Sequence, residues 1–333
     1  MPLVNTALTL KDLPPAPEGK TGWPWTEQTE PLPDRMADGS DWPRISIVTP
    51  NYNYGHFIEE TIRSVLLQGY PNLEYIVIDG GSTDNSVEII KKYEKWLSYW
   101  VSEKDNGQSN AINKGIKKCT GIIFNWLNSD DSLSKNSLIL VSNFFIEDKF
   151  DILIGRCEII ELDENAKILA RLSDRTPSNS ITYWDFIERS SFIDQPSVFV
   201  KTETLKFLGS LREDINYVMD YALYIKMFIQ ANCPPKVTTT SKTLSVAKLH
   251  PSTKTMTLWN LFEIEMIKVL KETVSFLPKN EVKRLCSTLN QLEIQTSVRR
   301  TNYSLIDLLI LPTKKPLALF SRFYWGSVKR AKN

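Results

Sequence analysis

Residues 45–53 read Ile45-Ser46-Ile47-Val48-Thr49-Pro50-Asn51-Tyr52-Asn53, an apolar run that stops at a proline and opens into amides and an aromatic ring. A short apolar run bounded by turn residues reads as a buried strand. The pattern returns twice: Leu73–Ile78 runs into Asp79-Gly80-Gly81-Ser82, and Gly121–Leu127 runs into Asn128-Ser129-Asp130-Asp131. Between these runs, His56–Gln68, Asn85–Trp96 and Gln108–Lys118 carry apolar residues at helical spacing, and Tyr99–Ser102 reads as a further strand. Strand and helix alternate with short connections, which predicts a parallel sheet covered on both faces.

Working outward, the second half is less regular. Asp151–Ile160 and Lys167–Arg171 read as strands of a meander, Ser197–Lys201 and Lys236–Lys248 as further strands, and Val218–Gln230 as a helix. From Thr257 the pattern turns helical, with Leu258–Phe276 and Lys279–Thr296. Eight prolines fall within residues 1–43, which argues against regular structure there. Trp23, Trp25 and Trp42 argue against a floppy linker, so this segment reads as an arm lying on the domain. The expected division is an arm at 1–43, a domain at 44–256 with halves 44–132 and 133–256, and a helical extension at 257–333.

The 333 residues are 42% hydrophobic and 24% charged, enough apolar content for a core. The net charge of +1 excludes a dominant basic field for duplex nucleic acid. That balance is uneven: six of the 40 Lys and Arg follow Leu308 with no acid among them, leaving 34 bases against 39 acids before it. The tail at 314–332 mixes bases with Phe320, Phe323, Tyr324 and Trp325, a pattern that suits an anionic membrane surface. A solvated helix packed on its own domain is the competing account. Four widely spaced cysteines point to a reducing compartment. There is no apolar run of spanning length and no charged n-region followed by an apolar h-region, so the expected location is cytoplasmic, or peripheral at the inner face of a membrane.

Open α/β sheets bind ligands beyond the carboxyl ends of their strands. Thr49, Asn51, Tyr52, Asp79, Ser82, Asp84, Asp105, Asn128, Asp130 and Asp131 sit at those ends. One polar strand end is turn chemistry, whereas three brought to one sheet edge form a site. Neither GxGxxG nor GxxxxGK[ST] occurs, so the dinucleotide and P-loop fingerprints are missing. The hydroxyl, amide and aromatic groups after the first strand suit a nucleoside. Adjacent Asp130 and Asp131 repel unless a cation sits beside them, and oxygen ligands select magnesium or manganese. Asp131 or Ser134 as the cap of a following helix is the competing account.

These residues carry a family resemblance. Ile45–Asn53, Glu60–Gln68, Ile78–Asp84, Asp105–Ser109 with Asn113-Lys114-Gly115, Trp126–Asp131, Asp194–Ser197 with Met219-Asp220-Tyr221, and His250–Lys254 resemble, in order, the motifs of glycosyltransferase family 2. The resemblance implies a GT-A fold: a Rossmann-like, mixed, mostly parallel sheet flanked by helices. It implies inverting transfer of a sugar from a nucleotide-diphosphate donor, UDP-linked first among the candidates, to a glycan or lipid-linked acceptor. By position, it implies that Thr49, Pro50, Tyr52, Asp79 and Ser82 contact base and ribose, with Asp79 accepting from a pyrimidine N3–H. Asp105, Gln108, Asn113, Asn128 and Asp130 would border the donor. Asp131 would bind a divalent Mg or Mn, with His250 at the metal or diphosphate. Asp220 would be the general base, and Gln195 and Trp184 would face the acceptor.

Ile122 and Asn110 depart from the family pattern, which commonly has acids there. Asp220 as a simple helix cap, His250 as a loop residue and Trp184 as core remain alternatives on residue chemistry alone. A nucleotidyltransferase acting on a sugar phosphate, or a non-catalytic glycan-binding protein, are the alternative functions. The missing glycine-rich triphosphate loop weighs against the first, and the presence of both Asp131 and Asp220 against the second.

Overall fold

The computed structural model describes residues 6–147, 149–164, 167–172, 184, 187, 193–230, 235–254 and 258–300. The basic tail at 314–332 lies outside them, as do the aromatics at 183 and 192. The first strand, β1 (Ile45–Asn51), and the second, β2 (Leu73–Asp79), are buried along their whole length. They pair in parallel with Asn51 beside Asp79, so both polar ends emerge together. The third, β3 (Tyr99–Ser102), joins β2 with Ser102 beside Asp79. On the other side of β1, β4 (Ile123–Trp126) is also parallel, with Trp126 beside Val48.

Strand side chains alternate between the two faces of the sheet. Ile45, Ile47, Tyr75, Val77 and Ile123 join a core beneath helices α1 (Ile58–Leu66) and α2 (Ser86–Tyr93). Val48, Ile76, Ile78, Phe124 and Trp126 join a second core beneath α3 (Gln108–Ile116). Both faces demand apolar residues, which is why these strands read as continuous apolar runs. Gly115 lets α3 lie close on β1: a Cβ there would come within 2.4 Å of Val48 Cγ1. Gly115→Ala should therefore lower stability by about 1–3 kcal/mol, read as a lower urea midpoint with an unchanged m-value.

The rest of the sheet is mixed. Two-residue β5 (Ser132–Leu133) follows the acidic turn, and α4 (Ser137–Ile146) follows it. The residue preceding α4 is Asn136 at φ 68°, so neither Asp131 nor Ser134 caps that helix. β6 (Ile152–Leu162) and β7 (Ile168–Leu172) form the antiparallel meander. β8 (Val198–Lys201) runs antiparallel between β4 and β6 and leads into α5 (Thr202–Leu208). Helix α6 (Met219–Ile225) continues as a π-helical stretch, Lys226–Gln230. β9 (Val237–Leu249) runs parallel to β6 and antiparallel to β5. Two helices follow, α7 (Trp259–Thr273) and α8 (Lys279–Arg300). Val269 and Leu270 on α7 and Leu285 and Leu289 on α8 are buried in the same core as α3 and α6.

The proline-rich arm packs on α1 and β5. Leu13 and Trp25 are buried, and the Trp23 indole donates to Leu133 O at 2.9 Å. Arg63 on α1, only 1% exposed, donates to the carbonyls of Pro14, Pro24 and Trp25 and to the Tyr93 hydroxyl.

Candidate active site

The strand ends surround a cavity of about 650 Å³. β1 contributes Pro50, Asn51 and Tyr52, and the turn after β2 contributes Gly80 and Gly81. Lys104 and Asp105 follow β3, Gln108 starts α3, and Asn128 and Asp130 follow β4. Gln195, Tyr217, Asp220, Lys254 and Phe262 complete the wall from the second half. Eight of the residues expected from sequence thus share one cavity: Pro50, Tyr52, Asp105, Gln108, Asn128, Asp130, Gln195 and Asp220.

The other seven are not on its lining. Thr49 is fully buried, with its hydroxyl 3.0 Å from that of Tyr75. Asp79 is also fully buried, and its carboxylate accepts from Asn51 Nδ2, the N–H groups of Gly81 and Ser82, and the hydroxyls of Ser82 and Ser102. Five donors take up its acceptor capacity. These bonds fix Asn51 and the Gly80–Ser82 turn against the cavity. Ser82 also accepts from the Asn53 N–H at 2.8 Å. Asn113 ties α3 to the second half, donating to Leu211 O and Glu213 and accepting from Leu211 N, each at 2.9 Å. Trp184 is not on the lining, and the Arg284 guanidinium sits 4.1 Å from its ring centroid.

Asp131 is 5% exposed and lies just behind Asp130. The β5–β9 pairing sets Ser132 opposite Val246, which carries the end of β9 past the acidic turn. The Lys248 N–H reaches Asp131 Oδ1, and Asn128 Nδ2 reaches Oδ2, both at 3.3 Å. The Lys248 ammonium donates to Asp130 O at 3.0 Å and pairs with Glu60 at 2.9 Å. Burial, and next the charge of Asp130, push the Asp131 carboxyl well above the usual carboxylate range. His250 follows β9, stacks on Phe57 at 4.5 Å and places Nε2 3.3 Å from Asp130 Oδ2. A polar chain runs from Lys254 through Gln108 to Asn128, with contacts of 3.3 and 2.7 Å. Desolvation lowers the Lys254 pKa.

This donor set fits a hard divalent cation: two adjacent carboxylates in a buried turn, one disfavouring ionisation of the other, with an imidazole alongside. Among the described residues no three His, Cys, Asp or Glu side chains gather as a complete cage. Magnesium-type sites use one or two carboxylates and leave the remaining positions to water and substrate phosphates.

Asp220 lies at the second position of α6, where its Oδ1 accepts the Tyr221 N–H at 2.8 Å. Burial raises its pKa. The loop before it is held by Glu265 of α7, whose carboxylate accepts from the N–H groups of Asn216, Tyr217 and Val218 at 2.7–3.3 Å. Sequence reasoning missed Lys104, Tyr217, Phe262 and Glu265. No local motif marks them, since only the packing of α7 brings Phe262 and Glu265 to the cavity and its loop.

The model described as Glycosyl transferase family 2 matches residues 46–206. An uncharacterized glycosyltransferase of Haemophilus influenzae is 30% identical over 193 residues, which cover 56% of this chain and 75% of that protein. The chain belongs to glycosyl transferase family 2.

Solved structures place the fold with other transferases. S. aureus TarS 1-349 in complex with UDP-GlcNAc superposes with a TM-score of 0.56 at 18% identity, covering 75% of this chain and 72% of that one. Against a second S. aureus TarS structure the score is 0.56 at 22% identity, and the chain spans 43% of that chain's length and 74% of its own. The mannosyltransferase PcManGT of Pyrobaculum calidifontis, in complex with GDP-Man and Mn2+, gives 0.55 at 16% identity, covering 96% and 87%. At these identities the likeness speaks for a GT-A-type fold. No described helix is long and apolar enough to cross a membrane.

Proposed function

We propose that the chain transfers a sugar, with inversion, from a nucleotide-diphosphate sugar to a hydroxyl of a glycan or lipid-linked acceptor. The observation that carries this reading is the single cavity lined both by the nucleoside-side strand ends and by Asp220. Pro50 and Tyr52 take the base, Asp105 and Gln108 border the ribose and diphosphate, and Asp130 orients the donor near the transferred sugar. Asp131 and Asp130, with His250 alongside, would hold the divalent cation. When bound, it supplies Lewis-acid stabilisation of the charge that grows on the diphosphate.

Asp220 accepts the proton of the acceptor hydroxyl as the new bond to the anomeric carbon forms. The bond from that carbon to the diphosphate breaks, and its electron pair leaves with the nucleotide. The buried setting of Asp220 makes it a stronger base than an exposed carboxylate. Gln195 lines the same cavity, and its Nε2 donates to Trp126 O at 2.7 Å and to Asn125 Oδ1 at 3.1 Å, which holds the residue in place beside the acceptor side. UDP is the leading nucleotide, in keeping with the UDP-GlcNAc bound by TarS 1-349.

A thermal-shift screen of nucleotide sugars with Mn2+ tests the reading directly. A donor at a hundredfold its Kd stabilises the fold by about 2.7 kcal/mol, so a clear rise in Tm is expected for at least one nucleotide class. No shift with any of them overturns the reading. Asp131→Asn keeps the shape of the turn and removes its buried charge. Calorimetry should then show nucleotide affinity in Mn2+ falling by about tenfold or more, with metal-free affinity unchanged. Equal affinities in the two proteins would remove Asp131 from the metal site.

A further inference from the structure

We infer that α7 builds the acceptor wall of the cavity, with the paired rings of Tyr217 and Phe262 as a platform on which a sugar ring of the acceptor stacks. This rests on the sugar-transfer reading and names its acceptor-side contacts. Both rings line the cavity that contains Asp220. Their centroids are 5.5 Å apart with planes at 47°. Both are half-buried and pack on the core from its margin, so each has an anchored side and a side toward the cavity.

The chemistry suits a carbohydrate. A pyranose presents a face of C–H groups that packs against an aromatic ring, while its hydroxyls stay free for polar partners such as Asp220. An acceptor must reach Asp220, and Tyr217 and Met219 shortly precede that residue in the sequence and line the same cavity. The donor-side residues Pro50, Tyr52 and Asp105 come from the strand ends instead. Trp184, the aromatic expected on the acceptor side, has Arg284 against its ring.

The platform is also held in place. Glu265, one turn after Phe262 on α7, receives the Tyr217 N–H at 2.7 Å and the neighbouring N–H groups of Asn216 and Val218. Arg212 and Lys268 both pair with Asp214 at 2.6 Å, a further tie between the loop and α7. Helix, loop and general base therefore form one mechanical unit. The family match ends at residue 206, so this wall lies beyond it.

The test uses the full chain with Mn2+, UDP or GDP, and a panel of p-nitrophenyl glycosides as acceptor probes. Binding is read by saturation-transfer NMR, and nucleotide binding by thermal shift. The wild type should contact at least one glycoside. Phe262→Leu keeps apolar packing but removes the aromatic face. It should weaken that glycoside about tenfold and leave the nucleotide shift unchanged. Phe262→Tyr should retain wild-type glycoside binding, which separates the ring's role from mere bulk. Unchanged glycoside binding in both Phe262→Leu and Tyr217→Leu overturns the platform, as does a wild type that binds nucleotide but no glycoside. A wild type with no nucleotide shift is a different failure: it removes the sugar-transfer reading and the platform with it.

Discussion

Asp220→Asn is expected to reduce sugar transfer by about 10³-fold or more while leaving nucleotide affinity within a factor of two or so. Asparagine has the same shape and can still accept the Tyr221 N–H that Asp220 Oδ1 accepts at 2.8 Å. It cannot take a proton from the attacking hydroxyl. The effect should therefore fall on kcat, with little change in the donor KM. The pH dependence gives a second reading. Burial raises the Asp220 pKa above its ordinary value of 3.8, and only the ionised carboxylate is a base. Activity should rise with pH through that elevated pKa, and this acid limb should vanish from the residual activity of Asp220→Asn. Asp220→Glu tests placement, because an added methylene moves the carboxylate by more than 1 Å and should cost about 10²-fold. Wild-type turnover in Asp220→Asn would remove the base from this position.

Arg63→Ala is expected to be the most destabilising substitution outside the site, at about 3–5 kcal/mol. The guanidinium is almost fully buried, lies over the Trp25 ring at 5.5 Å and makes four hydrogen bonds. Three of them end on carbonyls of the arm, at Pro14, Pro24 and Trp25. Removing the side chain leaves those carbonyls buried without a donor and opens a cavity beneath Trp25. Arg63→Lys should be nearly as harmful, since one ammonium cannot reproduce the planar fork. The measurement is a urea midpoint together with limited trypsin digestion. The exposed Lys11 and Lys20 should be cleaved much faster once the arm is released. An unchanged midpoint and cleavage rate would show that the arm holds without Arg63. Release should also reach the site, because Trp23 bonds Leu133, two residues past Asp131.

Much of the donor half was legible from the chain. A strand covered on both faces must be apolar throughout, and it must stop where the chain turns back into water. Those two requirements wrote β1, β2 and β4 and their polar ends into the sequence. Asp79 shows the limit of that reasoning. Its position at a strand end was correct, but hydrogen-bond saturation by Asn51, Gly81, Ser82 and Ser102 depends on which groups the folded turn brings within reach. The same holds for Asp131 and Ser134, which resembled helix caps until Asn136 took the position before α4. Trp184 precedes Asp194–Ser197 in the chain, but only the fold sets the Arg284 guanidinium on α8 against its ring.

Periodicity, turn residues and ordered motifs were sufficient for the alternating α/β plan, the family and the edge of the sheet where ligands go, because each depends on residues close in the chain. The meeting of Asp130 with His250, 120 positions apart, required β9 to return beside β5. The clamp of Glu265 on the loop before Asp220, and the placing of Phe262 on the cavity wall, required α7 to pack into the core shared with α3 and α6. Such contacts follow from burial summed over whole elements, a quantity that no local stretch of sequence carries.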